Sequence, residues 1–224
     1  TPTSQSLTAV VVIGGGALSP LAVAAVADLN TARTVIAADS GLDHAVAAGV
    51  RPDMLVGDLD SISASGRMWA YAHGLLIDEH PEAKDETDTE LALATAAELD
   101  GVRDLLVLGG VDAHSDDRLD HLLGTLLSLG HRRLAKFVSV RAVLGGTEVR
   151  VLHPGRSTAL DLDAGQTFSL LALHGPCSGI NVAGARWPLE EATLRGTEAR
   201  GISNVSEGNT VIGVVKGVLT VMIP

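Results

Sequence analysis

The sequence of 224 residues predicts a chain in two parts, an N-terminal Rossmann-like parallel α/β domain over residues 1–132 and a C-terminal β-sandwich over residues 133–224. Three observations carry that expectation. Apolar β-branched runs alternate with helical patterns up to about residue 130, the signature of βαβ units and a parallel sheet. From Phe137 onward the segments are short, β-rich and separated by turn signals such as Gly145-Gly146, Pro154-Gly155, Asp163-Ala164-Gly165 and Gly208-Asn209, the texture of a sandwich or barrel. The charge changes sign near the same place: residues 1–130 carry 6 Lys/Arg against 20 Asp/Glu, and residues 131–224 carry 10 against 7.

The elements of the first part follow in order. Leu7–Ile13 is a buried-strand pattern closed by Gly14-Gly15-Gly16, and Ser19-Pro20 supplies an N-cap and an N1 proline for an alanine-rich helix to about Leu29. A strand over Thr34–Ala38 leads through Asp39-Ser40-Gly41 into a helix over Leu42–Ala48. Met54–Val56 is the third strand and ends at Gly57-Asp58-Leu59-Asp60-Ser61; a helix from about Ser63 to Gly74 and a strand near Leu75–Asp78 come next. Thr87 and Glu90 have capping-box spacing, which predicts a helix over Asp88–Leu99. A strand over Asp104–Leu108 and a helix over Leu119–Leu129 complete this part.

Composition narrows the function. A net charge of -11 argues against a phosphate-backbone partner, and only five aromatic residues (Trp69, Tyr71, Phe137, Phe168, Trp187) argue against a stacking surface, so no nucleic-acid partner is expected. Cys177 is the single cysteine, which excludes an intramolecular disulfide and a multi-cysteine zinc site and makes a cytoplasmic setting the expectation. Residues 1–27 are uncharged, yet they lack a basic flank and are broken by three glycines and Pro20, so neither a signal peptide nor a membrane partner is expected.

In an open α/β sheet, ligands bind outside the carboxyl ends of the strands. The unusual polar clusters all fall there. Asp58 and Asp60 are two apart, so in extended backbone their carboxylates leave the same face and repel unless a cation lies between them. Mg²⁺ suits such oxygen ligands and is usually completed by substrate phosphates, although aspartates in a Gly-Asp-X-Asp-Ser turn serve equally as caps. At Lys84-Asp85-Glu86-Thr87-Asp88 the N-cap threonine and first-turn acids are ordinary helix-start chemistry. Lys84 is not: it places a cation where a helix N-terminus favours an anion, and a bound phosphate would want both. Arg118 is suited to a bidentate grip on phosphate, Asp120 is placed to join the metal cluster, and His121 alone reads as a cap or a packed ring before it reads as a catalyst. Gly14-Gly15-Gly16 with Asp39 imitates a dinucleotide fingerprint, imperfectly because Ser19 stands where a glycine or alanine belongs, and no Gly-Lys-Ser/Thr occurs to make an ordinary P-loop. In the second part Trp187, in a Gly/Pro-flanked loop, is either a core plug or an aromatic platform for a flat ligand, and Ser203-Asn204 reads as a turn.

Taken in order, Asp39-Ser40-Gly41, Gly57-Asp58-Leu59-Asp60-Ser61, Lys84-Asp85-Glu86-Thr87-Asp88, Arg118-Leu119-Asp120-His121 and Trp187-Pro188-Leu189 with Ser203-Asn204 resemble the thiamine pyrophosphokinase family. The resemblance implies an N-terminal catalytic domain that binds nucleotide and Mg²⁺, a C-terminal domain that binds thiamine, and a homodimer with the thiamine site near the subunit interface. It implies Mg-dependent transfer of pyrophosphate from ATP to the hydroxyl of thiamine, giving thiamine diphosphate and AMP. Under it, Asp58, Asp60, Asp88 and Asp120 are catalytic Mg²⁺ ligands, Asp39, Ser40, Lys84, Thr87, Arg118 and His121 contact nucleotide and phosphate, and Trp187, Ser203 and Asn204 line the thiamine site.

The chain departs from the family pattern twice: Val111–Asp117 separates Gly109-Gly110 from Arg118, and Thr125 stands where Asn is common. Rival readings are a pyrophosphokinase for another acceptor such as a pterin, against which Trp187 and Ser203-Asn204 speak, and an NAD(P)-dependent oxidoreductase, which leaves the Asp58/Asp60 and Lys84–Asp88 clusters without a task. A non-catalytic nucleotide-binding module finds support only in the stretch after Gly110.

Overall fold

A computed structural model describes residues 7–110 and 119–224, so Arg118 and the Val111–Asp117 stretch lie outside the described residues. Those described form a mixed α/β fold with thirteen strands and five α-helices. They divide into two compact units, Thr1–Ser128 with Ala142–Gly146, and Leu129–Arg141 with Thr147–Pro224.

In the first unit, β1 (Leu7–Val12), β2 (Ala32–Ala38), β3 (Met54–Gly57), β4 (Leu76–Glu79) and β5 (Val102–Gly109) pair in parallel in the order β4-β3-β2-β1-β5. The apolar run of β1 is buried from Thr8 to Val12, as a strand covered on both faces must be. The helices are α1 (Pro20–Ala27), α2 (Gly41–Ala47), α3 (Ala64–Ala72), α4 (Asp88–Glu98) and α5 (Leu119–Ser128). Local chemistry starts two of them where the sequence says: the Ser19 hydroxyl accepts from the Ala22 N–H at 3.2 Å ahead of Pro20, and Thr87 with Glu90 closes a capping box on α4.

The chain steps outward from β1 to β4, and α4 then packs back across β3, β2 and β1 before β5 joins the far side of β1. Small residues Ala92 and Ala96 on its buried face allow that close crossing. The reversal creates a switch point between β1 and β5, the place where open α/β sheets leave a crevice at the strand carboxyl ends.

β6 (Ser139–Leu144) spans residues of both units. In the second unit β7 (Thr147–Leu152), β8 (Ser157–Leu160), β9 (Thr167–Leu171), β10 (Cys177–Ala185), β11 (Leu189–Leu194), β12 (Asn204–Gly213) and β13 (Leu219–Ile223) pair antiparallel. β12 is the hub, bonded to β8, β9 and β10, while β13 joins β9 to β7. Phe168, Leu170, Ile180, Leu194, Ile212 and Val221 are buried in its core. No helix among the described residues is long and apolar enough to cross a membrane.

One buried polar ring stands out in this unit. His153 is 3% exposed, and its Nε2 is buried without a hydrogen-bond partner. Burial holds its pKa below the ordinary value; a hydrogen bond with the Leu129 backbone opposes that, and the charges of His174 and Arg156 add to it. The folded ring is therefore neutral at pH values where the unfolded chain, with a histidine pKa near ~6.5, takes up a proton. Its contribution to stability is complete above that value and is lost as pH falls toward the depressed one. Calorimetry is expected to show a steeper loss of thermal midpoint between about pH 7.5 and pH 5 for the native chain than for His153→Phe; equal slopes would acquit His153.

Candidate active site

A cleft of about 650 Å³ lies at the carboxyl ends of the first unit's strands. It is lined by Gly14 and Gly15 after β1, Asp39 and Ser40 after β2, Asp58, Asp60 and Ser61 after β3, Thr87 and Asp88 at the start of α4, and Asp120, His121 and Thr125 of α5. Two glycines let these pieces converge. A Cβ on Gly41 would lie 2.2 Å from the Val12 carbonyl oxygen, and one on Gly57, whose φ is +143°, would lie 2.9 Å from Asp88 Oδ1. The start of α2 therefore sits directly against the end of β1, and Asp88 reaches down onto the β3 turn.

Asp39 (φ +44°) and Leu59 (φ +63°) adopt the left-handed region without being glycine. Such conformations cost about 1–2 kcal/mol and persist where their surroundings over-determine them. Asp39 is 7% exposed; its N–H donates to the Val56 carbonyl at 2.9 Å, and its Oδ1 is buried without a hydrogen-bond partner. Burial pushes its carboxyl above the ordinary carboxylate range, and the charges of Asp88, Asp60 and Asp58 push further, against a hydrogen bond from the Ser40 backbone.

One carboxylate oxygen from each of Asp39, Asp58 and Asp60 lies within 4.8 Å of the others. An all-oxygen group one of whose members, Asp39, carries an orphaned buried oxygen fits a hard divalent cation such as Mg²⁺. Lys84 stands beside it. Its Nζ donates to Asp58 Oδ2 at 2.5 Å and lies 3.1 Å from Asp88 Oδ1. The second contact is a charge contact without hydrogen-bond alignment, since that Asp88 oxygen has no hydrogen-bond partner. The Lys84 hydrogen bond holds the Asp58 carboxyl below its ordinary value.

Of the described residues singled out in the first half of the sequence, Asp39, Ser40, Asp58, Asp60, Thr87, Asp88, Asp120 and His121 line one cleft, and Lys84 reaches two of them, Asp58 and Asp88. Asp39, expected as a nucleotide contact, is the third member of the carboxylate group. Asp88 and Asp120 line the cleft outside that group. No local sequence signal marks Asp39 for that group; the parallel register sets Ala38 beside Val56 and so brings the residues after β2 and β3 to the same edge. Thr87 uses its hydroxyl on Glu90, accepting from the backbone N–H at 3.2 Å and donating to Oε2 at 3.0 Å. A Cβ on Gly14 would lie 2.6 Å from Ser40 Oγ, so the glycine turn admits that hydroxyl beside its backbone.

In the second unit Trp187 sits between β10 and β11 and is 55% exposed. Asn204, itself buried, holds the Trp187 peptide on both sides: Nδ2 donates to its carbonyl at 2.8 Å and Oδ1 accepts from its N–H at 3.2 Å. The same Oδ1 accepts from the Val205 N–H at 2.8 Å. Ser203 (φ +61°) donates its N–H to Ser169 Oγ at 3.1 Å. The indole is presented outward, with the Arg186 guanidinium 5.7 Å from its ring centre, and the Asn204 amide is occupied in presenting it.

Comparison with known proteins gives a consistent picture. Residues 27–140 match a family model described as Thiamin pyrophosphokinase, catalytic domain, and residues 157–219 one described as Thiamin pyrophosphokinase, vitamin B1 binding domain. Among solved structures, the chain is similar to thiamine pyrophosphokinase from Bacillus subtilis, with 22% identity, 96% of this chain and 98% of that chain covered, and a TM-score of 0.73. It is similar to the Candida albicans protein of that name at 14% identity, with coverage of 100% and 94% and a TM-score of 0.73. The yeast protein gives 14% identity, coverage of 99% and 87%, and a TM-score of 0.68. At these identities the likeness is one of fold. Among curated proteins none matches by sequence.

Buried Asp39, repelled by the neighbouring carboxylates, makes a stability prediction that is independent of activity. Asp39→Asn removes the charge whose pKa burial raises, keeps the side-chain volume and suits the left-handed backbone. In EDTA at neutral pH the variant is expected to melt higher, by about 2–4 °C per kcal/mol of relieved repulsion for a chain of this size. A lower melting temperature would mean that the Asp39 charge is compensated in the folded protein.

Proposed function

The chain belongs to the thiamin pyrophosphokinase family and is an enzyme of that kind; on that basis we propose that it transfers the pyrophosphoryl group of ATP to the hydroxyl of thiamine and releases AMP, with Mg²⁺ held by Asp39, Asp58 and Asp60. The observation that carries this reading is the convergence of three carboxylates, one of them buried with an orphaned oxygen, in a cleft of about 650 Å³. Bound there, Mg²⁺ would supply charge neutralisation to the nucleotide's phosphate oxygens.

The chain's own residues have distinct tasks in this proposal. Asp88 and Asp120 complete the ligand set from α4 and α5. Lys84, in contact with the cleft-lining Asp58 and Asp88, stabilises phosphate charge together with Arg118, with Ser40, Thr87 and His121 as further nucleotide contacts. Attack by the thiamine hydroxyl releases a proton, for which the cleft offers carboxylates as acceptors. Positioning and charge neutralisation dominate such a transfer, so a rigid acidic cleft is the main requirement, and it also attracts thiamine's positive charge.

Thiamine is proposed to lie on Trp187, with Ser203 near it and Asn204 fixing the indole's backbone. In the finer architecture we assign a Rossmann-like catalytic domain to residues 1–132 and a thiamine-binding β-sandwich to residues 133–224. The active form is proposed to be a cytoplasmic homodimer with thiamine near the subunit interface.

Incubation with ATP, Mg²⁺ and thiamine is expected to yield AMP and thiamine diphosphate in equal amounts, and Asp60→Asn is expected to lower turnover at least ~100-fold without loss of fold. Thiamine-independent AMP release alone would defeat the reading. For Trp187→Ala the expectation is a raised KM for thiamine with the KM for ATP unchanged; an effect on ATP alone would contradict the platform role.

A further inference from the structure

The loop that carries two of the carboxylates is held by a residue with no charge contact to them. Leu59, between Asp58 and Asp60, is 2% exposed, packs with Leu42, Leu55 and Ile62, and turns through the left-handed region at φ +63°. Its carbonyl accepts a hydrogen bond from the Arg67 guanidinium on the first turn of α3, reaching back eight residues. The start of α3 is fixed in turn. Asp43 of α2 accepts from the Ser63 N–H at 2.8 Å and the Ser63 hydroxyl at 2.6 Å, while that hydroxyl caps the Gly66 N–H at 2.9 Å. Gly66 permits the approach, since a Cβ there would lie 2.2 Å from Asp43 Oδ1.

We propose that Arg67 is a positioning residue for the divalent-cation site: by gripping the Leu59 carbonyl from a helix anchored on Asp43, it fixes the turn that aims Asp58 and Asp60 at one point. Two carboxylates that repel each other would otherwise relax apart along a loop whose middle residue is in a disfavoured conformation. The side chain of Leu59 anchors the turn from below, and Arg67 holds the carbonyl side of the Leu59–Asp60 peptide, whose N–H makes only a long 3.3 Å hydrogen bond to Asp58 Oδ1. Outer groups that orient ligands in this way typically matter about 10–100-fold in metal affinity or activity. The inference rests on the reading that Asp58 and Asp60 hold a divalent cation.

The test uses Mn²⁺ alone as probe, followed by the loss of its free electron-paramagnetic-resonance signal on titration with the full-length protein. Native chain, Asp60→Asn, Arg67→Met and Arg67→Lys are compared, alongside circular dichroism, thermal midpoint and the KM for thiamine. Arg67→Met is expected to raise the half-saturating Mn²⁺ concentration about tenfold, with an unchanged thiamine KM and fold. Arg67→Lys, which keeps one donor, is expected to recover part of the loss and carries the test if Arg67→Met does not fold. Native binding that survives in Arg67→Met within twofold would overturn the inference, and so would a loss in which thermal midpoint and thiamine KM move as far as Mn²⁺ affinity. Failure of the native chain to bind Mn²⁺, or binding untouched by Asp60→Asn, would instead overturn the underlying metal assignment.

Discussion

Repulsion among carboxylates at the ends of β2 and β3 is the constraint around which the first unit is arranged. Parallel register fixes where those ends lie, so Asp39, Asp58 and Asp60 arrive at one place whether or not their charges agree. The surroundings absorb the disagreement. Lys84 bridges Asp58 and Asp88, the Asp39 carboxyl is driven toward its neutral form by burial, and two left-handed non-glycine residues keep the turns tight. A folded protein gains nothing from such a cluster by itself, since neutral residues of the same size would fit with less cost. Retaining it makes sense as the standing cost of a binding site, in line with the general trade of stability for function.

The sequence made most of the scaffold legible because local chemistry and global topology agree in it. Ser19-Pro20 and Thr87 with Glu90 start their helices where expected, and the apolar runs became buried parallel strands. What stayed hidden was pairing at a distance. Nothing near Lys84 in sequence announces that it meets Asp58 twenty-six residues earlier, because that contact depends on α4 crossing back over β3. That Asp39 also joins Asp58 and Asp60 was hidden for the same reason: the partnership comes from strand register, which local spacing does not encode. By local sequence Asn204 reads as a turn residue and by resemblance as a thiamine contact beside Trp187; neither reading foresees that its amide holds the peptide of Trp187 seventeen residues away. The Arg118 expectation falls outside the described residues.

The two units divide the work by chemistry. The acidic first unit concentrates carboxylates at strand ends, where the proposed cation and phosphates would be held; the second keeps an apolar core and exposes one of the chain's two tryptophans on a buried asparagine. The exposed indole of Trp187 is consistent with a flat, cationic ligand.

The central claim is that Asp39, Asp58 and Asp60 together hold the metal that accompanies the nucleotide. Its most direct test is a crystal structure with Mn²⁺ and α,β-methylene ATP, an analogue that cannot be cut at the bond this reaction breaks, with the metal located by anomalous scattering. The account predicts a peak bonded to carboxylate oxygens of all three residues and to the analogue's phosphates. A metal held elsewhere, or bonded to the nucleotide with Asp39 turned away, would contradict it.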